Sequence, residues 1–228
     1  MMKHAMNILV NGISLFYKKS GAGPPLLLLH GNGEDHHIFD ALTTKLQNDF
    51  TLYAIDSRNH GQSGKTADYS YDTMAEDICQ FIDALALETP NIVGFSDGAI
   101  IALLLAMRHD EVLGRMALLG INLKPDDFTE ENYLSIQDAY EKTQNPLFKM
   151  MLDEPNIELD DVRRLQTPTL VIAAEHDLYK PEMFTNLVNA MPNATLLLMA
   201  GHTHDSYITR QDLLADDLLR FFKDRSKI

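Results

Sequence analysis

The pentapeptide Gly94-Phe95-Ser96-Asp97-Gly98 has the spacing G-x-S-x-G, a serine set between two glycines. That spacing suits nucleophilic chemistry when the serine stands on a sharp turn between a strand and a helix. The apolar run Asn91 to Phe95 precedes it, and an almost wholly apolar stretch from Gly98 to Met107 follows. On such a turn the glycines leave room for the chain to fold back tightly. The hydroxyl then lies at the positive end of a helix, where a developing oxyanion is stabilised. From the glycine and serine content alone, the pattern is expected about 0.025 times by chance in this chain.

A serine attacks a carbonyl poorly until a histidine takes its proton and an acid orients that histidine. The strand–turn–helix setting predicts the chain order serine, acid, histidine. Two downstream runs end in suitable residues. Thr169 to Ala174 leads into Glu175-His176-Asp177, and Thr195 to Met199 leads into Ala200-Gly201-His202-Thr203-His204-Asp205. Side chains at the carboxyl ends of separate strands converge in open α/β sheets. Asp177 is the expected acid, with Glu175 as its rival. His202 is the expected base, with His204 within reach of the same edge. Asp205 reads as the N-terminal cap of the last helix.

The elements that must position these groups alternate along the chain. Ile8 to Val10 and Ile13 to Tyr17 flank Asn11-Gly12, a two-residue hairpin signal. Leu26 to Leu29, Leu52 to Ile55, Asn91 to Phe95, Arg115 to Gly120, Thr169 to Ala174 and Thr195 to Met199 are short apolar runs without polar alternation. Such runs read as strands buried on both faces. Between them, Met74, Ile78, Phe81, Ile82 and Leu85 keep the helical period, with Thr73 and Glu76 as a possible capping box. Leu214, Leu218, Phe221 and Phe222 make a second helical stripe. The expected class is α/β, a mostly parallel central sheet with helices on both faces. One domain spans 1–228, with a short helical cap inserted at about 122–165, where no strand-like run occurs.

At this point the chain resembles the α/β-hydrolase fold superfamily, in the form of a small esterase-like serine hydrolase. His30-Gly31-Asn32-Gly33 is similar to the family's oxyanion HG motif. Asp56-Ser57-Arg58-Asn59-His60-Gly61-Gln62-Ser63 resembles its D-x-R-G-H-G-x-S loop, with Asn59 where a glycine is usual. The serine turn, the acid loop (with Ala174 at a usual glycine) and Gly201-His202 complete the set in family order. The resemblance places the histidine directly after a glycine, which favours His202. It also implies an oxyanion hole made by the backbone N–H groups of Asn32 and Asp97. It reads His30 and His60 as loop supports. Phe128, Tyr133 and Phe148 of the cap become candidates for an apolar substrate pocket. The implied activity is cleavage of a small carboxylic ester or related acyl compound through an acyl-serine. The alternatives are carbon–carbon bond hydrolysis by the same triad, or a non-catalytic ligand-binding member of the fold.

Composition narrows the partners. The chain has 228 residues, 45% hydrophobic, with 19 Lys and Arg against 33 Asp and Glu, a net charge of −14. Phosphate backbones and anionic lipid surfaces are repelled by such a charge, so neither nucleic acid nor membrane is an expected partner. The segment from Lys124 to Arg164 holds 11 acids and 5 bases, which points to neutral or cationic small-molecule substrates. One cysteine forms no internal bridge and suits a reducing compartment. The stretch MMKHAMNILVNG is too short and too broken for a signal peptide, so a cytoplasmic location is expected. His202-x-His204-Asp205 with His36, His37 and His60 is a weak metal signal. Neither a metal nor a cofactor is expected, and His36 and His37 are expected at the solvated surface.

Overall fold

The computed structural model describes residues 4–224, so Met1, Met2 and Lys3 of the N-terminal stretch lie outside the described residues. The hairpin signal forms as read. β1 (His4–Val10) and β2 (Ile13–Gly21) pair antiparallel around Asn11 and Gly12, both at positive φ. Asparagine and glycine tolerate that backbone, and its twist matches the flanking strands. β3 (Pro25–Leu29), β4 (Thr51–Ile55), β5 (Asn91–Phe95), β6 (Met116–Leu119), β7 (Thr169–His176) and β8 (Ala194–Thr203) complete one eight-stranded sheet of order β1-β2-β4-β3-β5-β6-β7-β8. β3 to β8 run parallel, and β2 joins β4 antiparallel.

The continuous apolar runs are explained by burial on both faces. Leu27 and Leu29 of β3 enter one core with Ile92, Leu118 and Val171. Leu26 and Leu28 enter the other with Val93, Ala117 and Ile172. α2 (Tyr71–Ala84), α3 (Asp97–Arg108) and α7 (Pro181–Ala190) cover the first core, while α1 (Asp40–Leu46) and α8 (Ala215–Lys223) cover the second. β8 departs from the expectation. It is an edge strand, with Leu197 and Met199 packed inward on one face and Leu196 and Leu198 exposed on the other.

Two helix starts also differ. α2 begins at Tyr71 with Ser70 as its cap, three residues before the cap expected at Thr73, so Thr73 and Glu76 lie inside the helix. The last helix begins at Ala215, which leaves Asp205 in a turn, its carbonyl accepting Thr209 N at 3.0 Å. Between β6 and β7 the chain makes an excursion of three helices, α4 (Glu130–Thr143), α5 (Pro146–Asp153) and α6 (Leu159–Val162). Thr129 and Asn145 cap the first two by accepting Asn132 N and Leu147 N. No helix among the described residues is long and apolar enough to cross a membrane.

Candidate active site

Ser96 occupies the single residue between β5 and α3, at φ 52 and ψ −115. A non-glycine residue in the left-handed region carries strain and persists only where its surroundings enforce it. Here they do. Ser96 N donates to Leu119 O on the neighbouring strand at 2.8 Å, and its carbonyl accepts Ala99 N at 2.9 Å. The flanking glycines are steric necessities. A Cβ on Gly94 would stand 2.2 Å from Gly98 O, and one on Gly98 would stand 2.1 Å from Leu29 O. The backbone of β3 thus presses directly on the first turn of α3.

Asp177 follows β7, beyond a register irregularity between Ala174 and His176. That irregularity turns the chain back, so Asp177 Oδ2 accepts Ala174 N at 3.0 Å and Oδ1 accepts Leu178 N at 2.8 Å. The histidine that reaches it is His204, with Nδ1 at 2.7 Å from Asp177 Oδ1. This corrects the expectation for His202. His202 lies on the exposed rim, where Nδ1 pairs with Ser206 Oγ at 3.0 Å. β8 runs on to Thr203 before the chain turns inward, so the residue after Gly201 is still part of an edge strand. His204 packs on Phe95, its ring tilted 39° with centroids 4.9 Å apart, and meets Tyr179 edge-on at 5.5 Å. Its place depends on Gly120, where a Cβ would sit 2.6 Å from His204 Cε1.

The loop after β3 runs against the serine: a Cβ on Gly31 would lie 3.1 Å from Ser96 Cβ. His30 fixes this loop by donating from Nδ1 to Gly31 O (2.8 Å) and accepting Ser57 N at Nε2 (3.0 Å). Burial, with His60 beside it, lowers its pKa to about 4, so the ring is neutral. His60 supports the neighbouring loop by donating to Arg58 O. In that loop Asn59 stands at φ 67, a backbone asparagine accepts more readily than most residues, which explains its presence at a usual glycine position. His36 is not at the surface as expected. It is buried, its Nδ1 on Asp56 Oδ1 at 2.7 Å. Asp35, His36 and His37 bring ligand-type atoms within 4.8 Å of one another, but each also has a local bond, to His37 N, Asp56 and Asp40.

Three side chains escaped the sequence reading. The Tyr179 ring stands beside His204 near Ser96, and burial pushes its hydroxyl well above the ordinary tyrosine range. Glu34 Oε2 accepts Gly31 N at 2.9 Å, and burial raises its carboxyl to about 7. The Tyr71 hydroxyl donates to Asp97 Oδ1 at 2.8 Å. Only Tyr179 had a local signal, two residues beyond the acid. Of the pocket candidates, Phe128 is buried against Tyr179 with ring centroids 4.8 Å apart. Tyr133 packs partly on the core beneath it, and Phe148 is half-buried on α5. An open groove of about 1080 Å³, lined by Pro24, Asn91, Gly114 and Pro168, lies at the amino ends of the strands, the opposite edge from Ser96.

The family model described as the alpha/beta hydrolase fold matches residues 24–145. Serine hydrolase BPHL of Homo sapiens is 26% identical over 252 residues, covering 93% of this chain and 85% of that protein. The first curated relatives, 33% identical over 112 residues, align with 49% of this chain and only 33% of their own length. Among solved structures, a thermophilic esterase from Thermogutta terrifontis superposes with TM-score 0.82 at 17% identity, covering 96% of this chain and 98% of that one. A meta-cleavage product hydrolase from Pseudomonas fluorescens superposes with TM-score 0.79 at 23% identity, covering 95% and 97%.

Proposed function

This chain belongs to the alpha/beta hydrolase fold family, and we propose that within it the protein is a serine hydrolase acting on small carboxylic esters or related acyl compounds. The observation that carries the reading is the buried Asp177–His204 pair, bonded at 2.7 Å and packed between Tyr179 and Phe95, the residue before Ser96. With Asp177 accepting from Nδ1–H, His204 keeps the Nε2 lone pair for the serine proton.

Ser96 Oγ attacks the substrate carbonyl as His204 takes its proton. Asp177 orients the imidazole and stabilises its charged form. The backbone N–H groups of Asn32 and Asp97 hold the tetrahedral oxyanion, and His204 then gives its proton to the departing alcohol. Water, deprotonated by the same histidine, hydrolyses the acyl-serine and returns the enzyme to its starting state. The β6–β7 excursion serves as the cap, and its acidic surface favours neutral or cationic substrates.

Labelling with a fluorophosphonate probe, alongside nitrophenyl esters of increasing acyl length, tests this. Wild type should label and turn over the shorter esters, and Ser96→Ala should do neither. Absence of wild-type labelling would overturn the nucleophile. Labelling without ester turnover would move the assignment to carbon–carbon cleavage or to ligand binding.

A further inference from the structure

Asp97 is the second residue of the serine turn's x positions, and a carboxylate at the start of a helix ordinarily serves the helix itself. Here both of its oxygens are engaged elsewhere. Oδ1 accepts the Tyr71 hydroxyl at 2.8 Å, and Oδ2 accepts Asn32 Nδ2 at 3.0 Å. Asp97 is 4% exposed and Tyr71 1%. A carboxylate buried that deeply is tolerated when donors satisfy it, and a fully satisfied buried network holds its members in one arrangement. Burial pushes the Asp97 carboxyl up, against the bonds from Tyr71 and Asn32 that hold it down.

The partners matter more than the bonds. Asn32 and Asp97 are the two residues whose backbone N–H groups hold the oxyanion in the reading above, on which this inference rests. They come from segments 65 residues apart in the chain, and their side chains bond one another directly across the gap between the loop after β3 and the start of α3. The same amide of Asn32 also donates to Leu147 O at 3.3 Å, and Tyr71 N donates to Glu154 Oε2 at 3.1 Å. Both ends of α5 are therefore fastened to the chain Tyr71–Asp97–Asn32.

We propose that the Asp97 side chain is the positioning group of the oxyanion hole, holding the Asn32 N–H in register with the Asp97 N–H and itself held by the Tyr71 hydroxyl. Oxyanion donors stabilise a transition state only when aimed at the developing charge, and a misplacement of about 1 Å costs on the order of a hundredfold. Releasing the network should therefore lower kcat and leave ground-state binding almost untouched.

The test compares Tyr71→Phe and Asp97→Asn with wild type on a nitrophenyl ester, with rates expressed per active site titrated by fluorophosphonate. An alkyl trifluoromethyl ketone supplies the second readout. Ser96 Oγ adds to its carbonyl carbon, the serine proton passes to His204, and the ketone oxygen becomes an anion in the hole. Each variant should lose about 10- to 100-fold in kcat with KM changed less than about threefold, and ketone affinity should fall by a similar factor. The double variant should lose no more than the worse single one, since both break one network.

A merely structural role would lower the titrated fraction or the melting temperature while leaving kcat per titrated site and ketone affinity at wild-type values. That result in Tyr71→Phe, which keeps the ring, overturns the inference even where Asp97→Asn fails to fold. If Ser96→Ala keeps its ester turnover, the hydrolase reading falls instead.

Discussion

The serine turn and the rim that delivers the histidine face each other across the carboxyl edge of the sheet, yet they are built by opposite means. The turn is local. Gly94 and Gly98 meet each other four residues apart, so the pattern that marks the turn lies within five residues, even though Leu29 and Leu119 hold it from outside. The rim is not. His204 depends on a bond to Asp177, 27 residues away, on the ring of Phe95 and on the missing side chain of Gly120. A motif governed by near neighbours is readable from its letters. One governed by three distant segments is readable only once they have been assembled.

The largest expected effects separate the two histidines on that rim. His204→Ala should reduce ester kcat by about 10⁴-fold, comparable to Ser96→Ala, since removing either member of a triad removes its function as a unit. His202→Ala should stay within about threefold, because its ring hydrogen-bonds Ser206 on the exposed rim and does not reach Asp177. Steady-state kinetics on one nitrophenyl ester decides this. A severe loss in His202→Ala with an active His204→Ala would reverse the geometry argued here.

Glycine substitutions test the contrast in stability. Gly98→Ala drives a Cβ to 2.1 Å from the Leu29 carbonyl, so strand or helix must shift. A loss of about 3 kcal/mol or more is expected from such overpacking. Gly201→Ala on the rim meets open space, and its cost is the positive φ of 75 alone, about 1 kcal/mol. Urea midpoints measure both. Equal losses would show that the rim is packed as tightly as the turn.

The same contrast accounts for what was legible in the sequence. Leu26 to Leu29 and Asn91 to Phe95 read as doubly buried strands because each residue of a central parallel strand faces one core or the other. Thr195 to Met199 has the same letters but sits at the edge, and nothing local distinguishes an edge from a centre. Ser96 and Asp177 were legible because a glycine pair and a strand end mark them. The choice of His202 rested on the preceding glycine. β8 continues for two residues beyond Gly201, and it is His204, past the strand's end, that meets Asp177. Tyr71 carried no signal at all, since its partner lies 26 residues along the chain and its letter fits an ordinary helix start.

Glu34 belongs to neither region but is enclosed by both, and it gives the smallest and most specific test of that enclosure. Its carboxyl bonds Gly31 N beside Ser96, and it faces His204, Asp205 and Asp97. Burial raises it from 4.5 to about 7, so between those values the folded protein holds a proton that the unfolded chain has released. Stability from this group is therefore complete below about pH 4.5 and is lost as pH rises through 7, with an upper bound of about 3 kcal/mol. Glu34→Gln keeps an acceptor for Gly31 N and removes the titration. Relative to wild type, it should gain roughly 2 kcal/mol in unfolding free energy between pH 5 and pH 8, read from paired urea curves at the two values. A difference that stays flat across that range would mean that the carboxyl is open to water, and that the rim closes over the serine turn less tightly than its ring contacts indicate.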